Sequence, residues 1–232
     1  MPGSDLSQVE GATIIHSGGQ DHTAGVAVVL QPPFNKALVS WRSVSSRPLH
    51  ARLSHRHGHV SVVVAYAPTE GSPDPDKDQF YHQLSSVVQS ISSHDELILL
   101  GDFNAVTGPR AQGFENVVGH FGFGTPNDNS ARLLSFCSSH GLVIPGSWFQ
   151  RLNIHRWSWI SNDGSAKKEL DHIITRHIKV DDIHSALEVF ETTASQLGLH
   201  VSWQKMKIQN LGAGESAGMY LAYQFAATRW KK

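Results

Sequence analysis

Apolar positions along the chain change period several times, and each change marks an element. Residues 13–17 (Thr-Ile-Ile-His-Ser) and 24–30 read as short strands around a turn at Gly18-Gly19 and Asp21. The second strand stops at Pro32-Pro33, because proline donates no ladder hydrogen bond. Together they predict an antiparallel hairpin. Residues 38–41 and 49–53 carry weaker strand patterns. Residues 59–66 are a β-branched run ending at Tyr66 before Ala-Pro, which predicts a strong strand. Residues 77–92 switch period and place Phe80, Leu84, Val87, Val88 and Ile91 on one helical face, with Asp74 or Asp76 available as N-cap.

A loop rich in Gly, Asn and His spans 107–129. Residues 131–140 predict a second helix, closed by Gly141 at its C′ position. Cys137 lies in its apolar stretch and reads as a core residue rather than a nucleophile. Three short strands follow, at 142–144, 156–161 and 169–175, with a hairpin-type turn at 162–165 between the last two. The order strand, helix, strand from residue 59 to residue 100 predicts an α/β sandwich. Residues 1–12 are small and polar and are expected to be disordered or loosely attached.

The most informative stretch is Glu96-Leu-Ile-Leu-Leu-Gly-Asp-Phe-Asn104. A short apolar run closed by Gly101 predicts a strand buried on both faces. Asp102 and Asn104 follow at a spacing of two, which on extended backbone puts a carboxylate and an amide on one face. The alternative is a strand followed by an Asx-turn, with Asp102 capping its own loop. Both readings stand on spacing alone.

Composition narrows the field. The chain has 232 residues, enough for one domain or one domain with a fragment. Its formal net charge is −1 with 15 His, which gives no support to tight, nonspecific nucleic-acid binding. The single Cys excludes an internal disulfide framework and fits a reducing compartment. No charged and apolar leader pattern opens the chain, and no apolar run is long enough for a bilayer. An intracellular setting, nuclear or cytoplasmic, is therefore expected.

Gly101-Asp-Phe-Asn104 after an apolar strand, Tyr66-Ala-Pro68 at the end of another, and the Asn-containing loop 120–129 before a helix resemble the endonuclease/exonuclease/phosphatase family, in the form carried by non-LTR retrotransposons. The resemblance covers roughly residues 12–176. It implies an α/β/β/α sandwich of the DNase I-like type and Mg²⁺-dependent cleavage of DNA phosphodiesters. By the same resemblance, Asp102 and Asn104 handle the attacking water and the scissile phosphate. Tyr66 and Ser158 contact phosphate, and Asp171 orients a catalytic His. Asn127 and Asn129 would donate to DNA phosphates; turn chemistry and helix capping are their alternative reading. His172 follows Asp171 directly, so in a strand it points to the other face.

Two parts of the family pattern are missing. The metal-binding Glu near the start has no counterpart, Glu10 lying too close to the first hairpin, so the metal ligands are unassigned. The closing Ser-Asp-His or Thr-Asp-His strand is also absent. The expectation is an incomplete four-layer sandwich over residues 13–178 with impaired catalysis, weak DNA binding and self-association through open sheet edges. The alternative is a non-enzymatic, retroelement-derived binding module. Residues 179–211 resemble a reverse-transcriptase palm fragment, a helix and strand appended to the domain. Residues 212–232 match no pattern.

Overall fold

The computed structural model describes residues 4–18, 24–109, 111–150 and 152–176, together with two short strands further on. The chain divides into two compact units, Met1–His177 and Ile178–Lys232. In the second unit, Ile208–Asn210 and Met219–Leu221 pair antiparallel. The helix expected over 185–197, and with it the palm-like reading, lies outside the described residues.

The first unit is a mixed α/β sandwich of the expected DNase I-like class. A three-stranded antiparallel sheet contains β1 (Ser4–Val9), β2 (Ala12–Gly18) and β3 (Gly25–Leu30) in that order. For residues 4–9, the β1 strand corrects the expectation that residues 1–12 are disordered or loosely attached. Its polar side chains gave no apolar signal, but its backbone pairs with β2 from Ser4↔Ser17 to Val9↔Ala12. Glu10 and Gly11 close that hairpin with φ of 51° and 84°. Two positive φ angles in a two-residue loop match the right-handed twist of paired strands. Glu10 therefore stands exposed at a hairpin tip.

The second sheet has six strands. They are β4 (Leu38–Ser43), β5 (Pro48–His55), β6 (Gly58–Tyr66), β7 (Glu96–Asp102), β8 (Leu142–Val143) and β11 (Asp171–Arg176). Their spatial order is β4-β5-β6-β7-β11-β8. The β6–β7 pair is parallel, joined through helix α1 (Asp74–Ser90); every other pair is antiparallel. The remaining strands, β9 (Trp159–Ile160) and β10 (Lys167–Lys168), form a separate hairpin. The β9 strand is shorter than the expected strand at 156–161, because Arg156 keeps a helical backbone at the end of the 3-10 turn and the ladder with β10 pairs only Trp159 and Ile160.

Alternation sorts the side chains of the large sheet. Val63, Ala65, Leu97, Leu99 and Ile174 join Phe80, Leu84 and Val87 of α1 and Leu133, Phe136 and Cys137 of α2 (Asp128–Ser139) in one core. The thiol of Cys137 is buried there and its pKa is pushed up by burial, so it stays protonated. On the other face, β2 and β3 lie against β5, and Leu30, Leu49, Ala51 and Val62 are buried. The second face is only partly covered. Ile98, Leu100 and Ile173 are half-buried, so β7 is enclosed on one face and not on both.

Both helices begin earlier than the periodicity alone indicates. The first starts at Asp74, with Asp74 and Asp76 inside its first turn rather than capping it. Acidic side chains there complement the helix dipole. Asn127 caps the second helix in a reciprocal box with Ser130. Among the described residues, no helix is long and apolar enough to cross a membrane.

Candidate active site

Three side chains meet in one row across the large sheet. Asp102 on β7 pairs with Tyr66 on β6 and with Asp171 on β11. Directly opposed residues share a face, with Cβ atoms about 5 Å apart. The row sits where β6 and β7 end and β11 begins. Tyr66 and Asp102 are half-buried and Asp171 is exposed.

Gly101 makes this level possible. Its φ is 144°, and a Cβ built there would meet the Ala65 carbonyl oxygen at 1.9 Å. Only a residue without a side chain lets β7 approach β6 so closely just before the carboxylate.

The strand then turns rather than continuing. Asn104 takes φ of 49°, and its backbone N–H donates to Asp102 Oδ1 at 2.8 Å. This is the Asx-turn of the two readings that spacing left open. Asn104 therefore does not line up beside Asp102 on extended backbone. Its side-chain Nδ2 donates to the Ala67 carbonyl at 2.9 Å, which ties the turn to the end of β6. The Ala67 N–H in turn donates to the Asp102 carbonyl at 2.8 Å.

The Asp102 carboxyl is shifted above the ordinary carboxylate value, chiefly by burial. The negative charge of Asp171 adds to that shift, while the Asn104 N–H and His172 oppose it. One oxygen of Asp102 is occupied by the turn.

Ser158 is placed beside Asp171 but uses its hydroxyl differently from the family expectation. Ser158 Oγ accepts the backbone N–H groups of Leu170 at 2.8 Å and Asp171 at 3.0 Å. It thereby holds the start of β11. The neighbouring Arg156, 5% exposed, pairs with Glu169 at 2.8 Å and anchors the same corner. His172 points away, as expected from alternation, and its Nε2 donates to the Ala105 carbonyl at 2.8 Å inside the core.

Asn127 and Asn129 act as braces. Asn127 Oδ1 accepts Val106 N–H and the Ser130 hydroxyl, and its Nδ2 donates to the Asn104 carbonyl and Glu70. Asn129, 1% exposed, donates Nδ2 to the carbonyls of Pro68 and Asn104 at 3.0 and 3.2 Å. Both amide hydrogens of each are committed in this geometry, which is the turn-and-cap alternative. Glu70 escaped the sequence reading. Its carboxylate accepts the Asp128 N–H at the start of α2, a partnership 58 residues distant in sequence with no local signal.

The carboxylates Asp102 and Asp171 fit the ordinary Mg²⁺ pattern of one or two carboxylates completed by water and substrate phosphate. Among the described residues, no group of three or more His, Cys, Asp or Glu converges as a closed metal cage. A shallow groove of about 550 Å³ between α1 and α2, lined by Tyr81, His82 and Arg132 among others, shares no residue with the row.

Comparison with known proteins places the chain in a family. The model of the Endonuclease/Exonuclease/phosphatase family matches residues 3–188. Craniofacial development protein 2 of Bos taurus is 28% identical over 162 residues, 70% of this chain and 27% of that protein. The Transposon TX1 uncharacterized 149 kDa protein of Xenopus laevis is 32% identical over 83 residues, 35% of this chain and 6% of its own length. This chain thus spans about a quarter or less of the curated relatives it matches. Among solved structures, the endonuclease domain of TRAS1, a telomere-specific non-LTR retrotransposon, is similar at 14% identity and a TM-score of 0.47. That match covers 72% of this chain and 65% of the domain. By the extent of the family match, this chain belongs to the endonuclease/exonuclease/phosphatase family.

Proposed function

We propose that the row of Tyr66, Asp102 and Asp171 faces a DNA phosphodiester, and that the chain alone cleaves it no more than in trace. The observation that carries this reading is the alignment of the three side chains at one level of the sheet. Asp102 would orient the attacking water and accept its proton through the oxygen that the Asn104 turn leaves over. Burial and the facing Asp171 raise its basicity toward that task. Tyr66 would steady a phosphate oxygen. Asn104 and Ser158 would act as positioning residues, the first through its turn on Asp102, the second through the backbone of Asp171.

Asp171, exposed in the row, would hold the divalent ion that family members generally use, with water and phosphate oxygens completing its shell. When bound, that ion neutralises charge at a phosphate oxygen. Weak cleavage is proposed because the sequence has no Ser-Asp-His or Thr-Asp-His triplet, and the imidazole next to Asp171 is turned into the core. Nicking of supercoiled DNA with and without Mg²⁺, by the full chain and by Asp102→Ala, tests this. Trace nicking lost in the variant is expected. Robust cleavage abolished by Asp102→Ala overturns the impairment, and absence of any DNA binding overturns the function.

A second reading, a non-enzymatic binding module that also self-associates, draws on the surface of the small sheet. Val9 and Val29 are 52% and 57% exposed, and among the described residues β1 and β3 are its open edges. Unpaired edges with apolar side chains favour association. A sharp cooperative melt of a monomer would count against it.

A further inference from the structure

Among the described residues, one cation stands at the row without an acidic partner. Arg47 precedes β5, and its carbonyl accepts the Tyr66 N–H at 3.1 Å. Its Nη1 donates to the Tyr66 carbonyl at 3.1 Å, and its guanidinium carbon lies 5.4 Å from the centre of the Tyr66 ring. Arg52, Arg132 and Arg156 all form ion pairs, while Arg47 forms none among the described residues. A guanidinium presents five donors in a planar fork, and one of them is used here. The side chain is half-buried, so the fork is held in place without being sealed from a ligand.

Charge makes this placement consequential. Asp102 and Asp171 put two carboxylates at the level a phosphate must approach. An anion entering beside two carboxylates needs a cation at short range, and stacking on an aromatic face keeps that cation aimed.

We propose that Arg47 is the anion clamp of this site, taking a phosphate oxygen of the DNA backbone while its stack fixes the Tyr66 ring beside the same group. The inference rests on the functional reading above and adds a binding residue to it. It also makes Arg47 the source of one phosphate contact in an otherwise weakly charged chain.

The test is fluorescence anisotropy of a short labelled DNA duplex with the full-length chain, titrated across NaCl concentrations. Loss of one phosphate contact should lower affinity about tenfold and reduce the slope of log K against log salt by about 1 in Arg47→Gln. Arg47→Lys keeps the charge but not the fork, so it should restore the slope and only part of the affinity. A folded Arg47→Gln with unchanged affinity and slope overturns the clamp while leaving the DNA-directed reading intact. If Arg47→Gln does not fold, Arg47→Lys decides: affinity equal to the wild type overturns the clamp. A wild-type chain that binds no duplex at low salt overturns the functional reading, and the clamp with it.

Discussion

Asp102 and Asp171 stand directly opposite each other across the antiparallel β7–β11 ladder. Like charges in that position destabilise a sheet, and burial of Asp102 adds to the cost. A carboxyl whose folded pKa is raised favours the fold while protonated. That contribution fades as pH rises from the ordinary carboxylate value through the folded one. Asp102→Asn keeps an acceptor for the Asn104 N–H and removes the charge. It should stabilise the chain by about 1 kcal/mol at neutral pH while abolishing residual cleavage. Thermal melts of both proteins from pH 4 to pH 8 check this, and a lower melting temperature for the variant at neutral pH would sink it.

Gly101→Ala should cost about 3 kcal/mol or more, because the new Cβ would meet the Ala65 carbonyl oxygen at 1.9 Å and the backbone would remain at an unfavourable φ. Urea titration measures it. A loss below about 1 kcal/mol would mean that β6 and β7 can separate freely, and that the row does not depend on their close approach.

Asp95 is the second acid of structural weight. Arg52 donates to it through Nε at 2.7 Å and Nη2 at 2.8 Å, and Ser61 adds a third bond at 2.9 Å. The Arg52 hydrogen bonds are the main reason its pKa falls to about 2. A depressed carboxyl stabilises the fold above its unfolded pKa and loses that effect as pH falls through the folded value. Between about pH 4 and pH 2 the wild type should therefore lose stability faster than Asp95→Asn. The difference is on the order of 1–2 kcal/mol, reduced by the partial exposure of Arg52. Parallel acid-melting curves for the two proteins would contradict this.

Asn129→Ala should leave the Pro68 carbonyl without its side-chain donor and the Asn104 carbonyl with Asn127 Nδ2 alone, at a cost of about 1–3 kcal/mol. The loss should also loosen the Asx-turn, so amide exchange at Asn104 should quicken more than exchange in β5. Uniform acceleration across the sheet would mean that Asn129 supports the fold generally and not the site.

Strands and helices were legible wherever burial was one-sided or complete. The β6 run and the Phe80–Leu84–Val87 stripe announce themselves because the core dictates them. The β1 strand was not legible, since a polar edge strand is held by its backbone ladder rather than its side chains. The apolar run 97–100 suggested enclosure on both faces, but Ile98 and Leu100 are only half-covered. At the candidate site, the family resemblance named Tyr66, Asp102 and Asp171, and the strand register sets them at one level. The work of Asn127, Asn129 and Ser158 as braces did not come from that resemblance, because it depends on carbonyls and amides brought near by folding. Arg47 and Glu70 had no motif around them, and only cross-strand and loop-to-helix proximity marks them.

The parallel course of β6 and β7 has a consequence for how this scaffold can vary. Two neighbouring strands that run the same way release their connecting segments at a common rim, and β11 enters the sheet at that rim. Past the residues that brace the Asn104 turn, outgoing segments at such a rim can be lengthened, shortened or exchanged while the rungs below keep their spacing. Under the proposed function, a graft that begins beyond Glu70 should change which nucleic-acid shapes are gripped without unseating the acids, because Ala67, Pro68 and Glu70 then still hold the Asn104 turn and the start of α2.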